Sequence, residues 1–150
     1  MMNTLKKLLK SKEGYAIPLF IGFAFLLLMI AFLIMDFGGT LELHDYGISV
    51  LQRCCNSAVE KNIKDEYRAD HILELDLDGA KSDFASFVAN DLSGKYHVDI
   101  TEITGSERPP VMTVKGKITF ETLFSKYGFG EMTVDFTVRS TNYDLDDIEG

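Results

Sequence analysis

KKLLKSKEGYAIPLFIGFAFLLLMIAFLIMDFGG, residues 6–39, passes from a Lys-rich start through Gly14 into 21 residues, Tyr15 to Met35, that carry no charge. As a helix rising about 1.5 Å per residue, this run is about 31 Å long, close to the thickness of a bilayer's hydrocarbon core. It holds five Leu, four Ile and four Phe. At about −0.3 to −0.6 kcal/mol each, these favour insertion by roughly 4 to 8 kcal/mol, less what Pro18 and Gly22 take back. Lys6, Lys7, Lys10 and Lys12 precede the run, whereas Asp36, Glu42 and Asp45 follow it before the first Lys or Arg, Arg53. That asymmetry predicts a single-pass protein with a cytoplasmic N-terminus and an extracytoplasmic chain from Asp36 onward.

A cleaved secretory signal fits less well, because its apolar region should be about 7 to 15 residues long and end at a small-x-small triplet. Here the run is longer and ends at Asp36-Phe37-Gly38-Gly39. Pro18 points to a helix that begins close to Tyr15. The first four amide hydrogens of a helix have no intrahelical partner, so a proline there removes nothing. The Lys-rich leader and the apolar helix are then separate units joined at Gly14.

The 150-residue chain carries a formal charge of −8, unevenly spread. Residues 1–14 hold four Lys and one Glu, or +3, and −8 minus +3 leaves −11 for residues 15–150. A body so acidic is unsuited to a nucleic-acid backbone, which needs clustered Lys and Arg, and it is repelled by anionic lipid. The two cysteines, Cys54 and Cys55, are adjacent, which is neither a CxxC spacing nor a disulfide framework. On a helix their side chains point about 100° apart, which disfavours a bond between them. They read first as small apolar residues on a helix face and second as candidate inter-subunit thiols.

Beyond the apolar run, Thr40 to Arg68 continues in a helical pattern, with Ile48, Leu51, Cys55 and Ala58 on one stripe. Gly38-Gly39 is a weak point in this spine, since each glycine costs about 1 kcal/mol in a helix. Residues 79–92, GAKSDFASFVANDL, form a second amphipathic helix with Asp78 as its cap, Ala80, Phe84, Phe87, Val88 and Leu92 on one face, and Gly94 at its end. The period then changes to two. Tyr96, Val98 and Ile100, then Met112, Val114, Ile118 and Phe120, then Met132, Val134, Phe136 and Val138 alternate with polar residues. These are three half-buried strands joined by GSERPP and LFSKYGFG. The expected fold class is α+β: a long N-terminal transmembrane and amphipathic helix, a second short helix, and a three-stranded antiparallel sheet that the helices cover. The divisions are a basic leader (1–14), the transmembrane helix (15–36), its extracytoplasmic continuation (37–68), a small head (69–143) and an acidic tail (144–150).

Catalytic signatures are missing. His44, His71 and His97 have no metal-site spacing, and neither GxSxG nor a Walker loop is present. Glu74, Asp76, Asp78 and Gly79 occupy the first, third, fifth and sixth places of a calcium loop, but the twelfth place is Ala85, so a strand edge followed by a helix cap is the better reading. No catalytic residue, metal ligand or cofactor is expected, and the chain reads as a non-enzyme.

The Lys12-Glu13-Gly14-Tyr15 junction, Pro18, and the Ile34-Met35-Asp36-Phe37-Gly38 step resemble the TadE-like pseudopilins and minor pilins of tight-adherence (Tad) pilus systems. The resemblance covers roughly residues 10–60 by pattern and the rest by a pilin-like layout. It implies that a prepilin peptidase cuts between Gly14 and Tyr15. It also implies that the helix bearing Pro18, Leu19, Asp36, Phe37 and Gly38 then packs against other pilin-like or secretion-apparatus subunits in the membrane. Prepilins of this kind carry a Glu five residues after the cut to pair with a neighbour's terminal amine; here that place is Leu19, which favours a minor or accessory role over a bulk pilin. The alternative is a single-pass accessory protein of an export or conjugation apparatus that is never processed, followed by a ligand-sensing ectodomain or a membrane-tethered enzyme.

Overall fold

Leucine, isoleucine and phenylalanine without interruption, then a helical stripe, then three alternating runs give the chain its elements. The computed structural model describes residues 16–64, 73–92, 94–128 and 130–142. In order these are α1 (Ala16–Lys61), α2 (Leu77–Asp91), β1 (Tyr96–Ser106), β2 (Val111–Phe120), a short 3-10 turn (Ser125–Tyr127) and β3 (Met132–Thr141). The architecture is α+β, as the patterning predicts. The chain divides into two compact units, Met1–Gly39 and Thr40–Gly150.

In the first unit the described residues are helical throughout, including Gly38 and Gly39. The glycine pair does not break α1, because a cost of about 1 kcal/mol per glycine is small beside the cooperative hydrogen-bond ladder on either side. A Cβ added at either glycine would meet nothing within 4 Å.

The second unit is built on an antiparallel meander in the order β1-β2-β3. Its inner face carries Met112, Val114, Ile118 and Phe120 from β2, with Phe136 and Val138 from β3, all buried. Gly116 stands on that face between Val114 and Ile118, where the Phe136 ring and Asp99 O fill the space a Cβ would need. α1 covers the sheet with Val50, Leu51, Cys54, Cys55, Ala58 and Val59, a stripe wider than the one read from sequence. α2 adds Ala80, Phe84 and Val88, followed by Leu92. The two helices run antiparallel, since Arg53 meets Asp91 at 2.8 Å and Lys61 meets Asp83 at 2.9 Å. Asn62 Nδ2 donates to the same Asp83 carboxylate at 2.8 Å.

Three boundaries differ from expectation. α1 ends at Lys61, not at Arg68. Beyond it Ile63 pairs with Leu75 in an isolated antiparallel bridge, and Lys64 N donates to Glu74 O at 2.9 Å, a tertiary contact that competes with further helix. α2 begins two residues early, because Asp76 and not Asp78 is the cap: its carboxylate accepts from Gly79 N at 3.1 Å. β1 continues past Thr101 to Ser106 through a bulge between Ile100 and Glu102. The extra residue reverses parity, so Ile103 returns to the inner side three residues after Ile100 and the alternation is hidden. Gly105 and Ser106 therefore belong to β1, and only Glu107–Pro110 of GSERPP is turn.

Candidate functional site

The feature most able to act on other molecules is the apolar half of α1. Every large apolar side chain from Ile17 to Phe37 is at least 37% exposed. None of the segment's apolar window is buried within the chain, and α1 is long and apolar enough to cross a membrane. Monomeric soluble proteins rarely leave contiguous apolar surface of more than a few hundred Å² open to water. A lipid core removes that penalty at no backbone cost, because an α-helix satisfies its own amides.

Within this segment Pro18 lies in the first four residues of the described helix, where it displaces no required hydrogen bond. Leu19 is 71% exposed, Phe37 is 67% exposed and Gly38 faces open space, whereas Asp36 is only 9% exposed. Adjacent helical residues project about 100° apart, so Asp36 and Phe37 address different surroundings. Gly14 and Tyr15, the expected cleavage junction, lie outside the described residues.

Cys54 and Cys55 are unbridged and buried. Cys54 Sγ is 4.0 Å from Asp91 Oδ2 of α2, and Cys55 Sγ is 3.8 Å from Met112 O of β2. They face different elements, as the helical angle requires. Burial raises both thiols above their ordinary range, Cys55 to about 11. An inter-subunit bridge through either sulfur would require α1 to lift from the sheet or from α2.

The carboxylates with calcium-loop spacing have other tasks. Glu74 is held by both Lys64 and Arg108, and these hydrogen bonds keep its carboxyl below the usual range. Asp76 caps α2 and Asp78 pairs with Lys81 at 3.1 Å. Among the described residues no group of three His, Cys, Asp or Glu is placed to hold a metal ion.

One surface was not legible in the sequence. Tyr46 of α1 stacks on Tyr96 of β1 with ring centroids 6.1 Å apart, and Tyr96 meets Phe120 of β2 at 5.9 Å. Leu123, Tyr127 and Met132 are exposed just beyond, in and after the β2–β3 loop. LFSKYGFG carries the signal, since apolar residues crowd a segment that turn chemistry marks as loop. Comparison of the chain with protein-family models, with characterised proteins and with solved structures gives no match in any of the three.

Proposed function

We propose that the chain is a membrane-anchored minor pilin or pseudopilin-like component of a Tad-type pilus or secretion assembly, acting through helix packing and protein contacts. One observation carries this reading: a single helix, α1, supplies both a fully exposed apolar segment and, from Val50 to Val59, the stripe that closes the core of the head. A subunit built so transmits position from the membrane to its head without a flexible linker. The Lys-rich leader sets the N-terminus in the cytoplasm and the head outside it, by the positive-inside bias. Gly14–Tyr15 is the junction at which a prepilin peptidase would act, and partner subunits would pack along the segment from Pro18 to Gly38.

Leu19 favours a second reading, an accessory subunit of an export or conjugation apparatus that keeps its leader. A free terminal ammonium created at Tyr15 would have no carboxylate at that place to pair with, and an unpaired charge in lipid is costly. Intact mass of the protein extracted from native membranes separates the two. Processing yields a chain beginning at Tyr15 that is lost in Gly14→Leu. An intact leader in both forms would remove the pilin reading and leave the accessory anchor.

A further inference from the structure

We infer that the end of the head formed by the β2–β3 loop and the Tyr46–Tyr96 stack is a lipid-contact surface, which seats the head on the headgroup boundary of the bilayer that α1 enters. This rests on the reading of the apolar segment as a membrane span and adds a second, peripheral contact to it.

The distribution of exposed apolar side chains carries the inference. Among the described residues from Thr40 onward, the large apolar side chains that are exposed are Leu41, Tyr46, Leu123, Tyr127 and Met132. All five sit toward one end of the head. Tyr96 pairs with Phe120 in the sheet, and Phe120 pairs with Met132, which places the start of β1, the end of β2 and the start of β3 side by side. Tyr96 Oη donates to Leu43 O at 3.0 Å, tying this edge to the first turns of α1 within the unit. The opposite end, with Ser106, Val111 and Thr141 in register, contributes no exposed large apolar side chain.

Chain connectivity supplies the occupant. Leu43 is four residues from Gly39, a separation that spans at most about 14 Å even when fully extended. The sheet end that Leu43 contacts is therefore tethered within that reach of the apolar segment's close. Tyr127, at 71% exposure, and Leu123 project from a loop of a type enriched at the headgroup level, where an apolar body and a polar tip are both accommodated. The exposed charges of the loop are Glu121, Lys126 and Glu131, a balance of −1, so attraction to anionic lipid is not the source of the contact. The contact is apolar and belongs to a zwitterionic surface.

The sequence contains no Trp, so single reporters can be placed in the full-length chain at Leu28, Tyr127 and Glu107 as L28W, Y127W and E107W. Each is reconstituted in phosphatidylcholine bilayers carrying bromine either high or low on the acyl chains. Expected is quenching by deep bromine in L28W, a blue shift with quenching by shallow bromine in Y127W that raised salt does not reverse, and neither effect in E107W. If L28W is quenched while Y127W behaves like E107W, the head does not touch lipid, and the span stands without this inference. If L28W is also unquenched, the membrane reading fails and takes the inference with it. A blue shift in Y127W that bromine does not quench, and that fades as the chain is diluted into more lipid, would assign the surface to a second copy of the chain and overturn the lipid contact.

Discussion

Gly47 of α1 approaches Ile118 of β2 so closely that a Cβ at position 47 would lie 2.6 Å from Ile118 Cδ1 and 3.3 Å from Tyr96 Cε1. Ile118 is fully buried, so its methyl has little room to withdraw. Glycine at this place is a packing requirement that lets α1 lie down on the sheet. Alanine would gain about 1 kcal/mol of helix propensity and lose about 1–3 kcal/mol to overpacking, leaving a small net loss. Gly47→Leu brings the same gain with three more carbons to accommodate, so its loss should reach or exceed the upper end of that range. Urea unfolding of the detergent-solubilised chain, followed by near-ultraviolet circular dichroism, should rank wild type above G47A above G47L. A G47L midpoint equal to wild type would contradict the close approach.

Glu74 is held by Lys64 and Arg108, and its carboxyl is kept below the ordinary range by hydrogen bonds, first from Lys64 and then from Arg108. A depressed folded-state value means that the folded chain binds the proton less readily than the unfolded one. The stabilisation is present above the unfolded value of about 4.3 and is lost as pH falls through the lower folded value. Asp83 is depressed too, by Asn62 and Lys61, and acts in the same acid window. Unfolding midpoints should therefore fall below about pH 4 in wild type. E74Q should start lower at neutral pH and show a shallower acid slope, with D83N as the matched control. Parallel slopes in wild type and E74Q would show that the Lys64–Glu74–Arg108 contacts do not couple to folding.

What the sequence discloses follows from which forces are local. Alternation at Met112, Val114, Ile118 and Phe120, and the three-four spacing at Leu51, Cys55 and Ala58, report burial directly, and the sheet and helix faces match them. The apolar run needs no context at all. The helix end at Lys61 depends on Ile63 meeting Leu75, twelve residues away, and nothing near Lys61 announces it. The cap fell on Asp76 rather than Asp78 because Leu77, read as part of an alternating pair with Leu75, is the first residue of α2. The β1 bulge conceals Ile103 because one inserted residue turns a period of two into a step of three. The exposed cluster around Tyr46, Leu123 and Tyr127 is assembled from three distant segments, so only the fold brings it together.

The thiols of Cys54 and Cys55 give a test of how firmly α1 is seated. Burial raises both, Cys55 to about 11, so the folded chain holds these protons more tightly than the unfolded chain does. Stability from this source is complete below the unfolded value of about 8.5 and declines as pH rises from there toward the folded value. At neutral pH neither thiol should be alkylated by iodoacetamide in the folded protein, and both should be alkylated in denaturant, adding two labels by mass. Labelling of native protein at the rate of a free thiol would mean that α1 lifts from the sheet often enough to expose them, which is also the condition for a bridge between subunits.

Gly38 and Gly39 make the opposite case to Gly47. Both are helical and neither has a neighbour within reach of a Cβ, so nothing inside the chain asks for glycine. Alanine at each should stabilise α1 by about 1 kcal/mol through propensity alone. In G38A/G39A, hydrogen exchange at the amides of residues 36–44 should slow while the unfolding midpoint of the head stays unchanged. The demand for glycine then has to come from outside the chain, since small residues on a membrane helix let a partner backbone approach closely. Cross-linking between copies, or to co-purified subunits, should accordingly weaken in the double variant despite its steadier helix. If cross-linking persists at wild-type level while exchange slows, the pair is no contact point, and a bend that the steadier helix resists would be left as the only use for two adjacent glycines.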